Sequence, residues 1–236
     1  MKIDIIISAD YIRDDIIKDK VVVVIDMLRA TSVITTAFMN GCNELVPLLT
    51  VDEAFELRER EKEKHYLLGG ERKAVKIEGF DFCNSPLEYT REAVNGRNII
   101  LSTTNGTRAL TSCKKADKIL IGAMINGHAV AEKLIELNKD IVIVNAGTNG
   151  QFSMDDFICS GFIIRELLDM KVHVDLTDIA KTAVTIYDSH KDIISFIKDA
   201  RHYNVMLNLN LMEDISYCSQ KNICRKVPEY KNGKIQ

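Results

Sequence analysis

Short runs of β-branched and aliphatic residues recur along this chain, each followed by a polar or glycine-containing turn and then by a stretch of helical period opening on Ser, Thr or Asn. The sharpest run is Val21 to Ile25, unbroken by a polar residue, which predicts a strand buried on both faces. Thr31 and Ser32 then open a helical stretch towards Phe38 that Gly41 can end, so Asp26 to Ala30 fall in the turn. Asn43 to Leu48 predict a second strand, and Thr50-Val51-Asp52-Glu53 is a capping-box pattern heading a charged helix through Lys64. His65 to Leu68, Asn98 to Leu101, Lys118 to Ile121 and Asp140 to Val144 are the next strand candidates.

Repetition of strand, turn and helix implies parallel pairing through helical crossovers. Beyond Asp175 the pattern predicts helices over Asp178 to Tyr187, Ser189 to His202 and Glu213 to Cys218. Lys226 to Ile235, with Pro228 and an Asn232-Gly233 turn, is expected as an edge strand or hairpin. The fold class expected is therefore α/β: a largely parallel or mixed sheet flanked by helices, with a helical C-terminal region. No linker or low-complexity segment divides the chain, so residues 1–236 are expected to form a single compact unit, with a subdivision near 165–175 left open.

Composition narrows the function classes. The 236 residues are 46% hydrophobic and 28% charged, ordinary for a folded protein. A net charge of −3 without a long basic run removes the electrostatic footprint of a nucleic-acid binder. No apolar run approaches membrane-spanning length, and Asp4 interrupts the short apolar N-terminal stretch, so a cytoplasmic protein without a membrane partner is expected. Six cysteines stand singly, which favours reduced thiols over disulfides or a zinc site.

In α/β sheets ligands gather beyond the carboxyl ends of strands, where helix N-termini present unpaired N–H groups. Four polar clusters occupy such turns. In Asp26 to Ser32 an acid can hold a hard cation while Arg29, Thr31 and Ser32 grip phosphate oxygens; the competing account makes the hydroxyls N-caps and Asp26 a turn residue. Thr103, Thr104, Asn105, Gly106, Thr107 and Arg108 offer hydroxyls, a glycine and a guanidinium in one turn, though Asn-Gly is also an ordinary turn pair. The cluster matches neither a dinucleotide fingerprint nor a P-loop. Gly147 and Thr148 precede Ser153 to Asp156, where a capping pattern accounts for one of Asp155 and Asp156 and leaves the other as a metal ligand or its support. Glu71, Arg72 and Asp81 lie in a glycine-rich, charged segment that continues through Asn84 and Ser85; Ser85-Pro86-Leu87-Glu88 reads as a helix start, but the three charged residues have no such account.

Two motifs are set aside. Cys159 to Arg165 has the spacing of cysteine-dependent phosphatases, but Phe162-Ile163-Ile164 is helix interior rather than a phosphate cradle. Asp26 follows a strand as an aspartyl-phosphate nucleophile would, yet Leu28 stands where a second aspartate belongs. Among five dispersed histidines only His128, after Asn126-Gly127, merits a catalytic test.

Taken in order, Val24 to Ser32, Gly69 to Arg72, Gly79 to Pro86 and Thr103 to Leu110 resemble the motifs of the 2-phosphosulfolactate phosphatases. With Ala146 to Thr148 and Asp155 to Gly161, the similarity spans most of Val21 to Gly161. Such a resemblance implies a Mg²⁺-dependent acid phosphatase, of an α/β fold distinct from other phosphatases, that converts 2-phosphosulfolactate to 3-sulfolactate and phosphate in coenzyme M synthesis. The family pattern has glycine near Ala74 and at Cys83, two departures that bear on substrate preference. Candidates for catalysis are then Asp26, Arg29, Arg72 and Arg108; for substrate binding Thr31, Ser32, Asn84, Ser85, Thr103, Thr104, Asn105, Gly106, Thr107, Gly147 and Thr148; and for Mg²⁺ Asp26, Glu71, Asp81 and Asp155. The partner expected is a small anion bearing a phosphate plus a sulfonate or carboxylate, with a homo-oligomer left open. A non-catalytic binding protein for the same anions is the rival, and turnover discriminates the two.

Overall fold

The computed structural model describes residues Met1 to Gln236, and the alternating runs of the sequence become eleven strands of one mixed sheet flanked by helices. The strands are β1 (Lys2–Ile6), β2 (Val21–Ile25), β3 (Glu44–Pro47), β4 (Leu67–Arg72), β5 (Val75–Lys76), β6 (Asn98–Ser102), β7 (Lys118–Gly122), β8 (Ile141–Asn145), β9 (Asp175–Leu176), β10 (Glu229–Lys231) and β11 (Lys234–Ile235). The helices are α1 (Asp14–Ile17), α2 (Ala30–Met39), α3 (Val51–Arg60), α4 (Arg91–Val94), α5 (Gly106–Ser112), α6 (Gly127–Leu137), α7 (Met154–Asp169), α8 (Asp178–Ser189), α9 (Ile193–Ile197), α10 (Arg201–Asn208) and α11 (Met212–Cys218).

Strand β2 is central, pairing in parallel with β7 on one side and β8 on the other. Its unbroken run divides by pleat: Val21, Val23 and Ile25 enter a core with α6, α7 and α8, while Val22 and Val24 enter a second core with α2 and α5. Each fully buried aliphatic chain contributes about 1.5–3 kcal/mol, so this strand anchors both layers. Gly161 lets α7 lie directly against α8: a Cβ there would sit 2.1 Å from the Ala183 carbonyl oxygen. Side chains on both sides of 165–175, such as Phe162 and Ala183, share that first core.

Three features differ from expectation. The C-terminal hairpin is not at an edge: β10 pairs antiparallel with β7 and β11 with β3, joining two parallel groups in the middle of the sheet. Tyr230 and Ile235 are buried there, while Lys118–Glu229 and Lys234–Glu44 ion pairs flank them. The stretch from Ser189 to His202 is not one helix, because Ala200 takes an extended conformation and separates α9 from α10. Strands β1 and β9, unmarked in the sequence, complete the far side of the sheet beside β8.

The three successive antiparallel pairings make the group β3, β6, β4 run nominally opposite to the group β7, β2, β8. Twist of about 20–25° per strand accumulates between β2 and β6, so the two groups splay by much less than a half turn. The loops leaving β2, β4, β6 and β8 at their carboxyl ends consequently meet.

Candidate active site

Those loops line a cavity of about 430 Å³. Asp26, Leu28 and Arg29 come from the β2–α2 turn, Glu71, Lys73 and Ala74 from the β4–β5 turn, and Asn84 from the segment beyond. Thr104 and Asn105 follow β6, Thr148 and Asn149 follow β8, and His202 and Val205 reach in from α10. A smaller space of about 370 Å³, lined by Ser153, Asp155 and Arg201 among others, adjoins it through Thr148 and His202.

Asp26 is buried, and one carboxylate oxygen accepts the Ala30 N–H at 3.3 Å. Burial pushes this carboxyl up to about 6; the positive field of His202 and the Ala30 hydrogen bond oppose the shift, while the charges of Asp155 and Glu71 add to it. Gly106 permits the β6–α5 turn to close over Asp26, since a Cβ would fall 2.6 Å from the Ala30 Cβ and 2.8 Å from the Asp26 Oδ2. Glu71 accepts the Thr104 N–H on Oε1 and the Ala74 N–H on Oε2, each at 2.8 Å. Its carboxylate thereby fixes two of the cavity's loops.

Arg29 is almost wholly buried, donating from Nη1 to Asp214 Oδ2 at 2.5 Å and from Nη2 to the Ala74 carbonyl at 3.1 Å. A guanidinium carries more donors than these two contacts use, and Arg29 is among the residues that line the cavity. The peptide between Leu28 and Arg29 is cis. Lys73 and Ala74 both adopt positive φ, at 53° and 65°, which turns the Lys73 side chain's segment over the cavity.

Several expected contributors are engaged elsewhere. Arg72 donates to the carbonyls of Glu71, Ser102 and Leu49 and to the Ser102 hydroxyl, so its fork locks backbone rather than lining the cavity. Arg108 pairs with Asp10. Asp81 is exposed and accepts the Leu68 N–H at 2.8 Å, at the start of β4 rather than at its carboxyl end. Thr31 exchanges hydrogen bonds with the Asp26 main chain and Ser32 donates to the Met27 carbonyl, so both hydroxyls close their own turn. Thr103 and Thr107 bond each other, and Ser85 donates to Asp214 at 2.6 Å instead of capping the turn of 3-10 helix at Pro86–Glu88. Gly147 offers its N–H to Asp156.

That last contact corrects the capping account of the β8–α7 turn. Ser153 makes no side-chain cap, and its hydroxyl donates to Asp155. Asp156 instead accepts the Met27 N–H on one oxygen and the Gly147 N–H on the other, both at 2.9 Å, tying two loops together. Burial, then the charges of Asp155 and Asp26, hold its carboxyl well above the ordinary range. Asp155 lines the adjoining space rather than the main cavity. His128 contacts Glu166 at the surface and Cys159 is fully buried, its thiol pushed far up by burial.

Lys73, His202 and Val205 are cavity residues that sequence reasoning did not identify. His202 carries no local signal, because its position depends on the break at Ala200. The positive-φ turn at Lys73-Ala74 is hinted at only by the glycine of the family pattern.

No three carboxylate, imidazole or thiolate groups come close enough to cage a metal ion. Asp26 and Glu71 remain as an oxygen-only pair in one cavity, the donor type that Mg²⁺ takes when phosphate and water complete its shell. Among the cavity's lining residues the carboxylates of Asp26 and Glu71 equal in number the fixed cations Arg29 and Lys73, so a multiply charged anion needs a further positive charge to settle there. The donors present fit a divalent cation on both counts.

A mixed α/β sheet with buried acids and a guanidinium converging beyond its strand ends defines an enzyme-type site for a small anion. The chain belongs to the 2-phosphosulpholactate phosphatase family, whose model matches residues 6–233, a family of phosphoric monoester hydrolases. It is 61% identical over 235 residues to a protein of Clostridium botulinum (strain Eklund 17B / Type B), covering 100% of this chain and 99% of that one. A Clostridium perfringens SM101 protein is 59% identical over 238 residues, with 100% and 96% covered. A Clostridium kluyveri protein (strain ATCC 8527) is 55% identical over 236 residues, with 100% and 98% covered. Each is named a probable 2-phosphosulfolactate phosphatase. No helix is long and apolar enough to cross a membrane.

Proposed function

We propose that the protein is a Mg²⁺-dependent phosphatase that hydrolyses 2-phosphosulfolactate, or a close dianionic relative, to 3-sulfolactate and inorganic phosphate. The observation carrying this reading is the opposition, in one cavity, of Asp26 and Glu71 to Arg29 and Lys73. Its support from relatives is their shared name and full-length similarity.

Asp26 and Glu71 would hold Mg²⁺, which supplies charge neutralisation at the phosphoryl oxygens. The unused N–H groups of Arg29 and the Lys73 ammonium stabilise the equatorial oxygens as charge spreads over them. Water adds to phosphorus, the bond from phosphorus to the C2 oxygen breaks, and one of the two water protons passes to that oxygen, which leaves as the sulfolactate hydroxyl while the other proton stays on phosphate. Asn84, Thr104 and Thr148 present neutral polar groups to the ester's second acid.

Phosphate release from a panel of phosphorylated hydroxy acids, with and without chelator, tests the proposal. Metal-dependent turnover fastest with 2-phosphosulfolactate is expected. Thermal stabilisation by the ester without any turnover would make the chain a binding protein, and faster turnover of sugar phosphates would reassign the substrate.

A further inference from the structure

The buried ion pair between Arg29 and Asp214 crosses from the first phosphate-binding candidate loop to the last helix of the chain. Asp214 sits in the first turn of α11, only 2% exposed, and is not among the cavity's lining residues. One of its oxygens receives Arg29 Nη1 at 2.5 Å and the other receives the Ser85 hydroxyl at 2.6 Å. Arg29 reaches onward to the Ala74 carbonyl, the Ala74 N–H to Glu71, and Glu71 to the Thr104 N–H. A continuous chain of hydrogen bonds thus starts at Asp214 and ends in the β6–α5 turn, passing through Arg29 and Glu71, two of the charged residues that line the cavity.

Burying such a pair is not explained by stability, because well-packed apolar residues of similar volume commonly serve as well or better. What a carboxylate provides here is direction. A guanidinium held on one edge by Asp214 and on another by the Ala74 carbonyl has its plane fixed, so the donors left over point one way. We propose that Asp214 is a positioning residue for phosphoryl transfer: from outside the cavity it sets the orientation of Arg29, and with Ser85 it ties the C-terminal helix to the substrate-binding loops. The inference rests on Arg29 being the phosphate clamp of the function proposed above.

A double-mutant cycle on the full chain, with Mg²⁺ present, separates this role from simple structural support. Asp214→Asn keeps the shape and removes the charge; the expected result is about 100-fold lower kcat, the scale of a clamp displaced by an ångström. KM should not rise, because the unneutralised guanidinium still attracts the anion. In an Arg29→Met background the same change should leave kcat where Arg29→Met alone puts it. Equal loss in both backgrounds, or a kcat for Asp214→Asn equal to the starting protein once corrected for folded fraction, overturns the proposal.

If Asp214→Asn alone does not fold, the Arg29→Met/Asp214→Asn protein, which buries neither charge, is compared with Arg29→Met, and a further fall in kcat overturns the idea. Asp214→Glu, which keeps the charge but moves it by one methylene, is expected to lower kcat about 10-fold, the direction of a misplaced clamp; full activity counts against positioning. Binding of inorganic phosphate, followed calorimetrically across the same cycle, reads the coupling even if 2-phosphosulfolactate is not turned over. Tighter phosphate binding by Asp214→Asn confined to proteins that retain Arg29 supports the inference in that case, and a change of equal size in the Arg29→Met background overturns it.

Discussion

Replacing Asp26 by Asn should make the metal-free protein more stable while nearly abolishing its activity. In the native state this carboxyl is moved from its ordinary value of 3.8 to about 6, chiefly by burial, with Asp155 and Glu71 adding to the effect. A group whose folded value is raised stabilises the native state fully below about pH 4, and that contribution is lost as pH rises through about 6. At about 1.4 kcal/mol per pH unit, keeping Asp26 ionised at pH 8 costs roughly 3 kcal/mol. Asn removes the charge, and its oxygen can still accept the Ala30 N–H. Calorimetry in chelator at pH 8 should show Tm rising by roughly 6–12 °C, on a scale of about 2–4 °C per kcal/mol for a chain of this size. The gain should shrink as pH falls towards 4. Turnover should fall by about 100-fold or more, and Mg²⁺ should raise the Tm of the starting protein but not that of the variant. A Tm for Asp26→Asn at or below that of the starting protein at pH 8, or a gain independent of pH, would refute the assignment of strain to this carboxylate.

Three further outcomes are expected. Ala74→Gly should stabilise the protein by about 1 kcal/mol in urea titration, because Ala74 holds φ at 65° where a Cβ is crowded; an unchanged midpoint would contradict this. Arg72→Met should lower stability by about 2 kcal/mol by stripping partners from the buried Ser102 main chain, with KM little changed; a large rise in KM at constant stability would place Arg72 on the substrate instead. Cys159→Ala should keep turnover and leave it insensitive to thiol alkylation, since the thiol is fully buried and pushed far from ionising; loss of phosphate release would revive a cysteine nucleophile.

The α/β alternation was legible because β2 and β8 are buried on both faces, and such strands write their position into the chain as unbroken apolar runs. The C-terminal hairpin was visible through Asn232-Gly233, but its place was not. Only Tyr230 and Ile235 of its two strands are buried, and alternation with Glu229, Lys231 and Lys234 is what an edge also shows. Its interior position depends on flanking partners, Glu44 and Lys118, far away in sequence. The break before α10 lacks even a glycine or proline, so the position of His202 was beyond local reading.

For the site, sequence located the loops better than the directions of their side chains. A polar residue after a strand either meets a ligand or locks its own turn, and residue type does not distinguish the two. Thr31, Ser32, Thr103 and Thr107 all lock turns, and Arg72 does the same across three loops. This expenditure of hydroxyls and a guanidinium on main-chain partners follows from the chemistry beside them. Asp26, Asp155 and Asp156 act on one another through buried space, and their repulsion favours any motion that lets water in. Asp156 resists that motion by gripping the Met27 and Gly147 amides, and Glu71 by gripping those of Thr104 and Ala74. Acids held together against their own repulsion by rigid loops would be relieved by a cation beside them, so these contacts favour the Mg²⁺ site of the proposed function.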